Sequence, residues 1–126
     1  MKKLRFFKCQ HCGNVVVKLV DKNVPAFCCG EKMEELFANS VEASTEKHLP
    51  VVEMKDEIVD VKVGSVLHPM EEAHYINFLA VETESGFYIV SLLPGQVPEA
   101  RVYVGDKKVV AVYEYCNLHG LWKTEV

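Results

Sequence analysis

The 126-residue chain contains no run of eighteen or more apolar residues, so no segment reads as a membrane-spanning helix. Its start, Met1-Lys2-Lys3-Leu4-Arg5-Phe6-Phe7-Lys8, is charged but lacks the apolar h-region of a secretory signal, and the expected location is the cytoplasm. A basic excess is missing too. Lys and Arg number 14 against 18 Asp and Glu, for a net charge of -4, and no long Lys/Arg run occurs. That balance removes the electrostatic footprint of general nucleic-acid binding. The cysteine count is five, an odd number, whereas a secreted disulfide framework favours an even number spread through the fold. No convincing helical stripe is present either.

What the chain does have is four cysteines, Cys9, Cys12, Cys28 and Cys29, within its first thirty residues. The turn Cys9-Gln10-His11-Cys12-Gly13, with Gly13 free to take positive φ, has the form of a knuckle that wraps main-chain N–H groups around a metal-bound sulfur. Residues 1–37 hold few large apolar side chains, so a unit this small needs a metal to fold. The adjacent pair Cys28-Cys29 is unusual and should splay the angle between two sulfurs on one ion. Three readings compete: a vicinal disulfide at Cys28-Cys29, a structural zinc site, and an iron tetrathiolate capable of one-electron transfer. His11, inside the knuckle, is expected to be an exposed bystander.

From residue 38 to 126 the pattern changes to short β-rich segments. Residues 51–54 and 58–63 flank a turn, as do 75–82 and 87–92. Residues 100–104 and 109–113 flank Gly105-Asp106, a two-residue hairpin signal. Trp122-Lys123-Thr124 closes the set. About seven strands with turn cues every eight to twelve residues predict an antiparallel β-sandwich, with 94–98 crossing between its sheets. His48 precedes Pro50 and is expected in an extended loop, His68 precedes Pro69, and His74 leads into a strand. Cys116 and His119 follow the strand that ends near Tyr115. A Cys-x-x-His pair alone is a weak sign, and each histidine taken singly reads more readily as structural. Four histidines and a thiol at the loop ends of one sandwich form a candidate site.

The combination of Cys9-x-x-Cys12 with Cys28-Cys29, Glu46-Lys47-His48-x-Pro50, Gly64-Ser65-Val66-x-His68-Pro69-Met70-Glu71-Glu72-x-His74 and Glu114-Tyr115-Cys116-Asn117-Leu118-His119-Gly120-x-Trp122 closely resembles desulfoferrodoxin, the two-iron class of superoxide reductase. The likeness covers nearly the whole chain. It implies a desulforedoxin-like, rubredoxin-type module over 1–37, with Cys9, Cys12, Cys28 and Cys29 on one iron. It also implies an immunoglobulin-like catalytic domain over 38–126, with His48, His68, His74 and His119 around a second iron and Cys116 as axial ligand. The sixth position is then open in the ferrous enzyme and taken by Glu46 in the ferric resting state. The implied activity is one-electron reduction of superoxide to hydrogen peroxide without release of dioxygen. Further implications are a homodimer and a rubredoxin-like electron donor.

Charge arithmetic separates the two centres. A ferrous ion with four neutral imidazoles and one thiolate carries about +1 and attracts an anion, whereas four thiolates leave a negative centre that repels one. Because the chain is acidic overall, Lys47, between Glu46 and His48, is the local cation expected to steer superoxide. The N-terminal iron is open between electron transfer and stabilisation of fold or dimer. Two rivals stand beside this reading: a zinc-ribbon interaction module and a rubredoxin-type carrier. Iron per chain separates them, at two for the reductase, one for the carrier and none for the zinc module.

Overall fold

A computed structural model describes residues 4–126, and the charged start Met1-Lys2-Lys3 lies outside them. The chain divides into two compact units, one ending at Phe37 and one running Ala38–Val126. Among the described residues the regular secondary structure of both is antiparallel strand, apart from one helical turn in the second.

In the first unit β1 (Phe6–Lys8) lies between β2 (Val15–Val17) and β5 (Glu34–Leu36). A tight hairpin joins β3 (Phe27–Cys28) to β4 (Glu31–Lys32), with Cys28 opposite Glu31. Its two loop residues, Cys29 and Gly30, both have positive φ, at 53° and 75°, as a type I′ turn demands. Among the described residues of this unit the buried apolar side chains are Phe6, Phe7, Cys9 and Met33, the last three clustered with Ala26 and Cys28. Leu19, Val20, Val24 and Phe27 remain exposed. So little buried apolar surface leaves the fold short of stabilisation, and a metal on the four sulfurs would supply the cross-link.

The second unit has seven strands in two sheets. The smaller has the order β10 (Glu99–Tyr103), β7 (Ile58–Val63), β6 (Pro50–Lys55). The larger has the order β12 (Gly120–Glu125), β11 (Val109–Cys116), β8 (Ile76–Thr83), β9 (Phe87–Ser91). Period-two alternation sends Val59, Val61 and Val63 from β7, Leu79 and Val81 from β8, and Val112 and Cys116 from β11 into one shared core, and a register shift where Cys116 pairs with Ile76 brings Ile76 into it as well. Three plus four strands around such a core is the immunoglobulin-like sandwich. The 94–98 loop does carry the chain from one sheet to the other.

Two local expectations are corrected. Residues 100–104 and 109–113 do not form a hairpin: β10 pairs with β7, while β11 pairs with β8 and β12. Two long partners already occupy both edges of β11. β10 instead closes the edge of the small sheet, where Arg101 meets Asp60 at 2.8 Å and the Tyr103 hydroxyl donates to Glu57 at 3.0 Å. His48 lies not in an extended loop but at the end of a single helical turn, α1 (Thr45–His48). The restriction imposed by Pro50 falls on Leu49, which is extended at φ -66°, ψ 126°.

Candidate metal centres

Cys9 and Cys12 come from the loop after β1, Cys28 and Cys29 from the β3–β4 hairpin. The first loop is closed by Gly13 N–H donating to Cys9 O and Cys9 N–H to Asn14 O, each at 2.9 Å, with Gly13 at φ +85°. Cys12 N–H faces the Cys9 sulfur at 3.4 Å, and Asn14 Nδ2 faces the Cys28 sulfur at 3.6 Å. All four sulfurs lie within 4.8 Å of one another. Cys12 and Cys28 are 3.6 Å apart and Cys28 and Cys29 4.0 Å. A disulfide needs about 2.05 Å, whereas a tetrahedron with metal–sulfur bonds of about 2.3 Å has edges of about 3.8 Å. The vicinal disulfide is therefore not formed, and the sulfurs match a tetrathiolate. The left-handed turn at Cys29 is what lets adjacent cysteines supply two corners.

Electrostatics agree with a bound cation. Main-chain N–H of Cys12 is the main cause that lowers the Cys9 thiol to about 6. Hydrogen bonding with the Cys12 sulfur, then burial, pushes Cys29 up to about 12, and contact with the Cys12 and Cys9 sulfurs raises Cys28. One thiolate forms readily while Cys28 and Cys29 resist losing their protons beside it, so a full set of thiolates calls for a metal's charge. His11 is exposed, as expected.

The second cluster sits at one end of the sandwich. His48 ends α1, His68 and His74 lie in the connection from β7 to β8, Cys116 ends β11, and His119 lies in the turn to β12. The four imidazoles close a near-square. Ring centres are 4.8 Å apart for His48–His68, 4.7 Å for His68–His74, 5.1 Å for His74–His119 and 4.8 Å for His119–His48. Each ring stands at 76° to 84° to the next. A square of this size leaves a centre that one metal ion fills with nitrogens at about 2.1 Å. Donor atoms of His48, His68, His74 and Cys116 all lie within 4.8 Å of one another. His119 joins them through Nδ1, 3.1 Å from His48 Nε2 and 3.9 Å from the Cys116 sulfur.

The protons decide what this arrangement can hold. His48 Nδ1–H donates to Ser44 O at 2.7 Å and His68 Nδ1–H to Pro69 O at 2.6 Å, so in both rings Nε2 carries the lone pair. Those two lone-pair nitrogens face each other at 3.2 Å, and the buried His74 Nε2 has no hydrogen-bond partner. Nitrogens so placed repel unless a cation lies between them. Burial lowers His48 and His74, and takes His68 down to about 4, which keeps the rings neutral and ready to ligate. Burial raises the Cys116 thiol, opposed by main-chain N–H groups of His119 and Leu118 directed at its sulfur. The donor set fits a metal that accepts both imidazole and thiolate.

Neighbouring groups shape the site. Trp122 stacks on His48 with ring centres 5.0 Å apart, and its Nε1–H donates to His119 O at 3.0 Å. Lys47 is exposed, and its positive charge contributes to lowering both His48 and His74. The Glu46 carboxylate is outside the converging donors. It is exposed and held below its usual range first by hydrogen bonding to Ser44. Glu114 was not singled out from the sequence: it is fully buried, neither carboxylate oxygen has a partner, and burial pushes it up to about 9. The signal available was parity, since Val112, Glu114 and Cys116 point to one face of β11.

Known proteins share this layout. The profile of the desulfoferrodoxin family matches residues 40–125. The desulfoferrodoxin of Desulfarculus baarsii is 45% identical over 123 residues, covering 98% of this chain and 97% of that one. Among solved structures, the superoxide reductase from Treponema pallidum superposes with a TM-score of 0.83 at 34% identity, covering 98% of this chain and 100% of that one. The superoxide reductase (1Fe-SOR) from Giardia intestinalis gives 0.54 at 33% identity, over 64% of this chain and 97% of that one. With two-thirds of its length matched by the family profile and relatives alike from end to end, the chain belongs to the desulfoferrodoxin family.

Proposed function

We propose that the protein is a superoxide reductase, which adds one electron and two protons to superoxide and releases hydrogen peroxide. The observation that carries this is the near-square of four neutral imidazoles with the Cys116 sulfur beside it, in a chain of this family. Bound iron supplies the one-electron couple. His48, His68, His74 and His119 bring no charge and Cys116 brings one negative charge, so a divalent ion there stays net positive toward an anion. Cys9, Cys12, Cys28 and Cys29 bring four negative charges and turn their ion into an anionic centre, which repels superoxide. Reaction is thereby assigned to the second unit, and electron delivery or structural support to the first.

On this reading residues 1–37 form a desulforedoxin-like iron-tetrathiolate module and 38–126 the catalytic domain. Lys47 steers the anion. Glu46, two residues before His48 on the same helical turn, is the carboxylate that would occupy the open position in the oxidised resting state. Family resemblance supports a homodimer and a rubredoxin-like donor. Five cysteines free of disulfides suit a reducing cytoplasm. Among the described residues no helix is long and apolar enough to cross a membrane.

The test is iron content with product analysis. Two irons per chain, and peroxide formed from superoxide and a reductant without dioxygen, are expected. A single iron, zinc alone, or dioxygen evolution would overturn the assignment. For Lys47→Ala, bimolecular reaction with superoxide is expected to slow roughly tenfold at low ionic strength and to lose much of its salt dependence. A rate equal to wild type at low salt removes Lys47 from the mechanism.

A further inference from the structure

Two of the four imidazoles are held from behind. His48 and His68 each donate from Nδ1 to a main-chain carbonyl, of Ser44 and Pro69. Among the described residues no carbonyl accepts from the His74 ring, so its place is inherited from its own main chain. That main chain is a small closed turn, in which Glu71 N–H donates to His74 O and His74 N–H to Glu71 O, both at 3.0 Å. These reciprocal bonds make the turn stiff within itself. They do not fix where it stands relative to the end of β11, which carries the sulfur.

Asn117 supplies that tie. Its Oδ1 accepts from Tyr75 N–H at 3.0 Å and its Nδ2 donates to Ala73 O at 3.0 Å. Its own main-chain N–H donates to Tyr75 O at 3.3 Å. The side-chain amide thus grips the main chain on both sides of His74, one donor and one acceptor matched as in a β-ladder. Asn117 directly follows Cys116 and stands two residues before His119. Three positions assigned to one ion are therefore joined through a single residue.

We propose that Asn117 is a positioning residue that sets His74 against Cys116 and His119, and so determines the shape of the ligand set. This rests on the reading of those three residues as ligands of one iron. Few side chains can replace it. The grip needs an acceptor and a donor on one short planar group, which aspartate lacks in its ionised form and alanine lacks altogether. Aspartate keeps the acceptor for Tyr75 N–H but turns an oxygen toward Ala73 O. Glutamine has both groups, one methylene too far out.

The experiment uses the full chain loaded with iron, comparing wild type with Asn117→Ala and Asn117→Asp. Two quantities are read: release of iron to a ferrous chelator, and the visible and electron paramagnetic resonance signature of the His/Cys centre. The absorption of the four-cysteine centre serves as internal control. For Asn117→Ala, iron at the His/Cys centre is expected to be held 10- to 100-fold less tightly, the scale found when partners that orient ligands are removed. Its signature is expected to shift while the control bands stay unchanged. Asn117→Asp should fall between, because one of the two side-chain bonds survives, and it decides the matter should the alanine variant not accumulate as folded protein.

Variants that hold iron as wild type does, with an unaltered signature, overturn the inference while leaving the functional reading in place. A wild-type chain that takes up metal at the four cysteines alone overturns the ligand reading and this inference with it.

Discussion

Replacing Gly64 by alanine is expected to destabilise the second unit by about 2–5 kcal/mol and to strip iron from the His/Cys centre. Gly64 is buried at φ +81°, a conformation that costs other residues about 1–2 kcal/mol. A Cβ there would also press on Val66 O, and would lie 2.7 Å from Glu46 O and 2.8 Å from the Lys47 carbonyl carbon. All three are main-chain atoms, so no side chain can swing aside, and overpacking of this kind adds about 1–3 kcal/mol. The crowding falls on the contact between α1 and the turn after β7. Val66 N–H donates there to Glu46 O at 2.9 Å, and Gly64 N–H to Leu49 O at 3.1 Å. One side of that contact carries His48 and the other leads to His68, so relieving the clash moves two imidazoles apart. Denaturant unfolding and iron content measure both effects. Gly86→Ala is the control: it has open space and no positive φ, and should be within about 0.5 kcal/mol of wild type. Equal midpoints for the two variants would refute the packing argument.

Exchange of Cys116 for serine should leave the fold standing and the chemistry largely gone. The side chain is 0% exposed and packs in the core at the end of β11, where a hydroxyl of similar shape can still accept from the N–H groups of Leu118 and His119. The fold should lose about 1 kcal/mol. The ligand set, however, loses its one negative charge and its one soft, electron-releasing atom. An alcohol keeps its proton where a thiol beside a metal gives it up. Superoxide consumption is expected to fall on the order of 10²- to 10³-fold, a loss of the size seen when a single strong electrostatic contributor to a reaction is removed. The visible absorption of the His/Cys centre should vanish, and the four-cysteine bands should persist. A serine variant with both absorption and reactivity intact would show that the sulfur is not part of the reacting centre.

Much of the architecture is legible before folding is considered. The hairpins at 55–57 and 83–86 lie between strands whose alternation is written in Val59, Val61, Val63 and in Leu79, Val81. The donor types in both centres are equally plain, because sulfur and imidazole at loop ends have few other common uses in this pattern. The failure at Gly105-Asp106 is instructive. A turn signal reports only that the chain can bend, and here the competing interaction was β11 saturating both edges with longer partners. Cys29 shows the opposite case: an awkward adjacent pair in the sequence becomes regular once a type I′ turn is seen to aim its side chain. Glu114 and Asn117 stand inside the motif that carries the resemblance, but their roles were not legible, because a carboxylate or an amide in a sequence carries no sign of its burial or its partners.

Taken alone, the amino-acid order determined what depends on near neighbours: strand alternation, the positive φ open to Gly13, the chemical kind of each donor, and the net charge each set would bring to an ion. Only the tertiary structure decided which donors meet. His48 and His119 are separated by 71 positions in the chain, yet their ring nitrogens come to 3.1 Å because α1 and the β11–β12 turn are brought to the same end of the sandwich. It likewise decided that His48 presents Nε2 and His119 Nδ1, since the tautomer of a ring follows from the carbonyl behind it or the nitrogens in front. Such choices belong to the packing of two sheets, a sum over the whole core that no local stretch of residues contains.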